Sequence, residues 1–282
     1  MNHFDLGGDG EPLHFLHANG YPPECYQPLF ERLQAQYRVF GMKLRPLWDG
    51  ATPNPNGLKS WHPFSDDLLR FLSRRETDPV IGVGHSIGGI VTLRAAMREP
   101  KRFRALILLD PVFFIPPIML MWKFALALGV ADRVYLPTSA ALKRRREFDE
   151  LESVFQKYRR LPVFRFMSDA GLKDYINGIT TPQEGGGFKL VYPPEWEAHI
   201  YRVSLNDFDL WRGLPKLNAP TLIIRGAETD TFLRSAERLV KIRNPKIRIH
   251  TMQNATHILP LEHPQETAEI MDDFISTLKR RP

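Results

Sequence analysis

The chain has 282 residues, 43% hydrophobic and 25% charged, a balance that fits a globular protein with a buried core and excludes disordered, collagenous and membrane-spanning classes. Its formal charge of +6 raises the question of nucleic acid, but the densest basic run, Lys143-Arg144-Arg145-Arg146, is followed by Glu147, Asp149 and Glu150 at helical pairing distance. No recognition motif accompanies the charge, so nucleic acid is not an expected partner, and weak attraction to an anionic lipid surface is a secondary reading.

The first eight residues lack the basic region and apolar stretch of a signal peptide, which gives the expectation of a cytoplasmic protein. The lone cysteine, Cys25, forbids an intramolecular disulfide and a cysteine-rich metal site, and nothing in the sequence calls for a metal or cofactor. A strand over residues 13–16 leads into His17-Ala18-Asn19-Gly20-Tyr21-Pro22-Pro23, a turn signalled by Asn-Gly and Pro-Pro. A second strand over 39–44 leads into Arg45-Pro46-Leu47-Trp48-Asp49-Gly50. Next comes Val80-Ile81-Gly82-Val83-Gly84-His85-Ser86-Ile87-Gly88-Gly89, an apolar strand running into Gly-x-Ser-x-Gly, with helix-forming sequence up to Pro100. Another strand, over 105–109, ends in Asp110-Pro111.

From Phe114 to about Gly213 the texture changes. The segment 115–128 is apolar on nearly every face but too short for a bilayer, which needs about 20 apolar residues. It reads as a helix packed on the core, with Met119, Trp122 and Phe124 as candidates to line an apolar pocket. A charged helix over 139–158, the aromatic Phe164-Arg165-Phe166, a Gly185-Gly186-Gly187 turn and Pro193-Pro194-Glu195-Trp196-Glu197 follow. Strand and helix alternation resumes with 221–224 and 247–250. Such alternation implies an α/β fold with a mostly parallel sheet covered on both faces and ligands at the carboxyl ends of its strands. The insertion leaves from one of those ends, so residues 115–213 are expected to form a cap over a core of 1–114 and 214–282.

Catalysis is the reading with the most support. A strand-to-helix turn with Gly84 and Gly88 around Ser86 exposes the hydroxyl above the sheet edge, as a nucleophile elbow does. A serine hydroxyl needs a base, and His257, on a short loop after the strand at 247–250, is the candidate. His62, His199, His250 and His263 read as surface or capping residues, and His85 as a packing residue. A carboxylate at another strand end must orient the base. Asp230, after Thr221-Leu222-Ile223-Ile224-Arg225-Gly226, is the first choice, Asp110 the alternative acid and Glu228 a third. The oxyanion of an acyl-transfer intermediate needs two backbone N–H donors. Ile87, after the nucleophile, and Asn19, in the early loop, are the candidates, with His17 and Tyr21 beside the substrate.

These residues resemble the α/β-hydrolase superfamily, in its serine-nucleophile branch with a helical cap, over nearly the whole chain. The resemblance rests on the elbow, the order Ser86, Asp230, His257, the His17 loop, and the long insertion before the last two strands. Ala18 stands where the family usually has glycine, and residues 45–50 replace a glycine-rich turn common in the family. The resemblance implies a serine hydrolase acting through an acyl-enzyme on a small-molecule carboxylic ester with an apolar acyl chain. Thioesterase, carbon–carbon bond hydrolase and cofactor-free oxygenase are alternatives on the same triad. A non-catalytic small-molecule receptor is the alternative from another class. The oligomeric state is left open.

Overall fold

The computed structural model describes residues 2–50, 55–75, 79–129 and 136–279. Seven strands form one sheet in the order β1-β3-β2-β4-β5-β9-β10, from β1 (His3–Gly7), β2 (Glu11–Leu16), β3 (Tyr37–Met42), β4 (Val80–His85), β5 (Phe103–Leu109), β9 (Thr221–Gly226) and β10 (Arg248–Met252). Only the edge strand β1 pairs antiparallel, with β3; every other pairing in this sheet is parallel. The sheet is apolar on both faces because its strands alternate between two cores. Leu16, Leu106 and Leu108 enter one apolar cluster, while Leu13, Phe15, Ile81, Val83, Ala105, Ile107 and Leu109 enter the other. This is the burial expected of parallel strands covered by helices on both sides.

The helices are α1 (Gln27–Leu33), α2 (His62–Arg74), α3 (Ile87–Arg98), α4 (Pro116–Ala127), α5 (Leu136–Leu142), α6 (Leu151–Arg159), α7 (Asp169–Ile179), α8 (Pro194–Arg202), α9 (Phe208–Gly213), α10 (Arg234–Arg243), α11 (Leu259–Glu262) and α12 (Pro264–Lys279). Those from α4 to α9 lie in the insertion between β5 and β9, together with a small antiparallel sheet of β6 (Glu147–Phe148), β8 (Phe188–Leu190) and β7 (Thr180–Pro182). The mainly helical insertion before the last two strands therefore stands as the sequence implies, with an added hairpin turning through the Gly185 to Gly187 run.

The long charged helix expected over 139–158 is a correction. Helix α5 stops at Leu142, and the basic run continues into β6. The i,i+4 pair Arg145–Asp149 forms at 3.0 Å at the surface, but Arg144 and Arg146 reach across to Glu197 and Glu195 on α8. Long-range partners, not neighbours on one helix face, neutralise Arg144 and Arg146. Another clasp joins the insertion to the core: Arg94 of α3, almost fully buried, binds Asp207 just before α9 and, at 2.8 Å, Asp209 within it. A buried guanidinium needs that pairing, since an unpaired charge in the interior costs several kcal/mol. The rings of Phe113 and Trp211 stack nearby with centroids 4.1 Å apart, and the indole N–H of Trp211 donates to the Phe114 carbonyl at 2.8 Å.

Candidate active site

Loops at the carboxyl ends of the parallel strands β4, β5, β9 and β10 converge on one point. After β4, Ser86 adopts φ 57° and ψ −121°, outside the ordinary range for a residue with a side chain. Two close approaches enforce this turn. A Cβ on Gly84 would fall 2.3 Å from the Gly88 carbonyl oxygen, and one on Gly88 would fall 2.1 Å from that of Leu16. The amide of Ser86 donates to the Leu109 carbonyl at 2.9 Å, which carries the β4–β5 ladder one residue past the strand. The strained serine therefore stands directly beside the end of β5.

Asp110 occupies that end, buried and also at positive φ, 39°. Its own amide donates to the Ile224 carbonyl on β9 at 2.7 Å, so its backbone is locked from the opposite side. The carboxylate accepts from the Gly226 amide at 3.0 Å, from the hydroxyls of Thr229 and Thr231, the latter at 2.7 Å, and from His257 Nδ1 at 2.8 Å. On the other edge of the ring, His257 Nε2 lies 2.9 Å from Ser86 Oγ. Ser86, His257 and Asp110 thus form a continuous hydrogen-bonded line.

The carboxylate beside His257 is Asp110, the alternative of the sequence analysis, and not Asp230, its first choice. The reason lies in the loop after β9. Thr229 and Thr231 turn inward and donate to Asp110, which leaves Asp230 between them exposed to solvent. Glu228 is also turned out and pairs with Arg165. An Asp-Pro at the end of a buried strand reads as an ordinary turn; the missed signal was the pair of threonines flanking Asp230, which supplies donors, not an acid.

The early loop is pinned from every side. The ring of His17 is wholly buried: Nδ1 donates to the Ala18 carbonyl at 2.8 Å and Nε2 accepts the Leu44 amide at 3.0 Å. Burial pulls its pKa down to about 4, so the ring is neutral and acts as a brace to the loop after β3. Both ring nitrogens are thereby taken up by backbone groups, at a residue the sequence placed beside the substrate. The side chain of Asn19 is committed to the insertion, its amide donating to the Glu197 carbonyl at 2.9 Å and its oxygen accepting from the Tyr192 hydroxyl at 3.0 Å. Any donation from Asn19 into the site must therefore come from its backbone N–H. At Gly20, with φ +76°, a Cβ would press within 2.8 Å of the Glu197 carboxylate, so the insertion leaves room for glycine alone. Ile87 opens α3, where the first amides have no partner within the helix.

Tyr21 is half-buried, with its ring near those of His85 and Tyr175. Of the three candidates on α4, Met119 and Trp122 are buried, at 1% and 6% exposure, in the apolar cluster that also holds Val112, Phe113 and Trp196. Phe124 is 69% exposed and cannot line an enclosed pocket; it lies on the outer face of α4 with Leu120 and Met121. The sequence showed apolar residues all round this helix, so only the packing decides which of them turn inward. His199 and His263 bond the carbonyls of Leu58 and Asn254, each at a distance of 2.8 Å or less. His85, expected to pack, also makes polar contacts that the sequence did not disclose. It is fully buried and hydrogen-bonded at both ring nitrogens.

Comparison with known proteins agrees with this fold. Residues 15–270 match the alpha/beta hydrolase family. Among curated relatives, a type I acyl-CoA thioesterase of Penicillium brevicompactum is 32% identical over 115 residues, covering 36% of this chain and 26% of the thioesterase. The chain thus spans only about a quarter of that relative's length. A pimeloyl-[acyl-carrier protein] methyl ester esterase of Legionella pneumophila is 23% identical over 275 residues, 97% of this chain and 98% of the esterase. Among solved structures, E-2-(acetamidomethylene)succinate hydrolase superposes with a TM-score of 0.74 at 20% identity, covering 97% of this chain and 94% of that one. No described helix is long and apolar enough to cross a membrane.

Proposed function

From the premise that the chain belongs to the alpha/beta hydrolase family, we propose that it is a serine hydrolase cleaving a small carboxylic ester with an apolar acyl chain. The observation that carries this reading is the line Ser86 Oγ, His257 Nε2, His257 Nδ1, Asp110 Oδ2, with contacts of 2.9 and 2.8 Å. Asp110 accepts the Nδ1 proton and so leaves Nε2 as the lone pair facing the serine. In the reaction Ser86 Oγ attacks the ester carbonyl while its proton passes to Nε2. Negative charge grows on the carbonyl oxygen, where the amides of Ile87 and Asn19 donate to it. His257 then gives its proton to the departing alkoxide, and water, activated by the same nitrogen, hydrolyses the acyl-serine. Asp110 stabilises the imidazolium during both steps without taking its proton.

The apolar cluster that includes Val112, Phe113, Met119 and Trp122 supports an apolar acyl group. Each methylene it buries contributes about 0.8 kcal/mol. A second reading, an acyl thioester in place of the oxygen ester, is favoured by the named activity of the Penicillium relative and uses the same atoms with a thiolate leaving group. Matched oxygen esters and thioesters of one acyl chain separate the two by their kcat/KM ratio.

The first test is covalent. A fluorophosphonate probe is expected to label the wild-type chain at Ser86, while Ser86→Ala takes no label and loses turnover by about 10⁴-fold or more with its fold intact. Normal ester turnover by folded Ser86→Ala overturns the proposal.

A further inference from the structure

The loops after β2, β4 and β10 carry the second oxyanion donor, the nucleophile and the base, and in the sheet two other strands, β5 and β9, stand between β4 and β10. One buried chain of hydrogen bonds joins all three loops. His85 Nε2 lies 2.8 Å from the carbonyl oxygen of His257. A carbonyl can only accept, so Nε2 carries the proton. Burial drives the pKa of His85 well below its ordinary value, the ring is neutral, and Nδ1 is therefore a lone pair. The Tyr26 hydroxyl, 2.7 Å from Nδ1, must then be the donor. Its oxygen is left free to accept the amide proton of Ala18 at 3.1 Å. Every proton position follows from the single carbonyl at one end: Ala18 N–H to Tyr26 O–H to His85 Nδ1, then His85 Nε2–H to the His257 carbonyl.

We propose that Tyr26 and His85 are positioning residues that hold the oxyanion loop and the backbone of the base in register with the nucleophile. This rests on the serine-hydrolase reading above. Ala18 immediately precedes Asn19, so the Tyr26 bond fixes the peptide unit directly before the one that carries the second oxyanion donor. The His85 bond fixes the main chain of His257, with the two imidazoles 5.2 Å apart. Neither side chain reaches the reacting atoms; each sets where another group stands, and displacement of a catalytic group by about 1 Å costs on the order of 100-fold in rate. A packing residue needs shape alone. Here both polar ends are used and the ring in position 85 must be neutral, which only a specific donor and acceptor pattern satisfies.

The experiment is a double-variant cycle with Tyr26→Phe, His85→Leu and both together, plus His85→Gln, whose amide can donate to the His257 carbonyl and accept from Tyr26. Sites are counted by fluorophosphonate titration, and kcat and KM for a 4-nitrophenyl ester are taken per titrated site. Tyr26→Phe and His85→Leu are each expected to lower kcat about 10-fold or more with KM within about twofold. The double variant should be no slower than the worse single one, and His85→Gln should recover most of the loss. Unchanged kcat in Tyr26→Phe, which keeps the ring and its packing, overturns the proposal, as does a double variant whose loss is the product of the two single losses. A wild-type chain that takes no label overturns the serine-hydrolase reading and this proposal with it, whereas a labelled wild type with an unaffected Tyr26→Phe overturns the proposal alone.

Discussion

The loops at the carboxyl edge of the sheet and helix α4 of the insertion are both dominated by buried apolar neighbours, yet they hold their residues by different means. At the sheet edge, the backbones of Ser86 and Asp110 are each fixed at positive φ and each donate an amide to the next strand, at 2.9 and 2.7 Å. The side chains leave from points set by main-chain geometry. Along α4 nothing local distinguishes Trp122 from Phe124. Both are aromatic residues on an apolar helix, and one is buried while the other is 69% exposed. The first region is specified by backbone, the second by packing.

The contrast is broken most severely by emptying the inward face of α4. Trp122→Ala is expected to cost about 3–5 kcal/mol of stability through the cavity it leaves, and Phe124→Ala less than about 0.5 kcal/mol, both read from denaturant midpoints. Equal losses would mean that the helix does not present the two residues to different surroundings.

The contrast also explains what could be read from the sequence. Ser86 was legible because Gly84 and Gly88 surround it between an apolar strand and a helix, and His257 because it sits on a short loop after a late strand. The parallel sheet and the insertion were legible from alternation. Asp110 was not favoured, because the choice between it and Asp230 depended on which way the side chains of one loop, Thr229 to Thr231, face. Phe124 was misplaced, and His17 was assigned to the substrate when its ring is a buried brace, for the same reason: a side chain's direction is decided by partners far away in sequence. The basic run at 143–146 followed that rule too, since the partners of Arg144 and Arg146 are on α8. The role of His85 required its two partners, Tyr26 and the His257 carbonyl, to be seen together.

A smaller effect sharpens the picture of the sheet edge as a set of neutral, buried imidazoles. Burial holds His14 at about 3 and His17 at about 4, and His85 lies well below its ordinary value. In the unfolded chain each takes a proton near pH 6.5. Below that pH the unfolded state binds more protons than the folded one, so stability falls as pH drops from about 6.5 toward 4, by about 1.4 kcal/mol per unit for each histidine. The share of His17 is complete once pH passes below its folded value. His17→Gln, which keeps one donor and one acceptor, should show a shallower decline between pH 6.5 and 4.5 than the wild type in denaturant titrations. Identical slopes would mean that His17 takes a proton in the folded protein.

The central claim is that the acid behind His257 is the one whose backbone is locked between β5 and β9. It is tested most directly by comparing Asp110→Asn with Asp230→Asn, using kcat per site titrated with fluorophosphonate. With Asp110 as the orienting carboxylate, Asp110→Asn loses about 10⁴-fold because its amide favours the wrong tautomer of His257, while Asp230→Asn stays within about twofold of wild type. A severe loss in Asp230→Asn with near-normal turnover in Asp110→Asn would contradict the account.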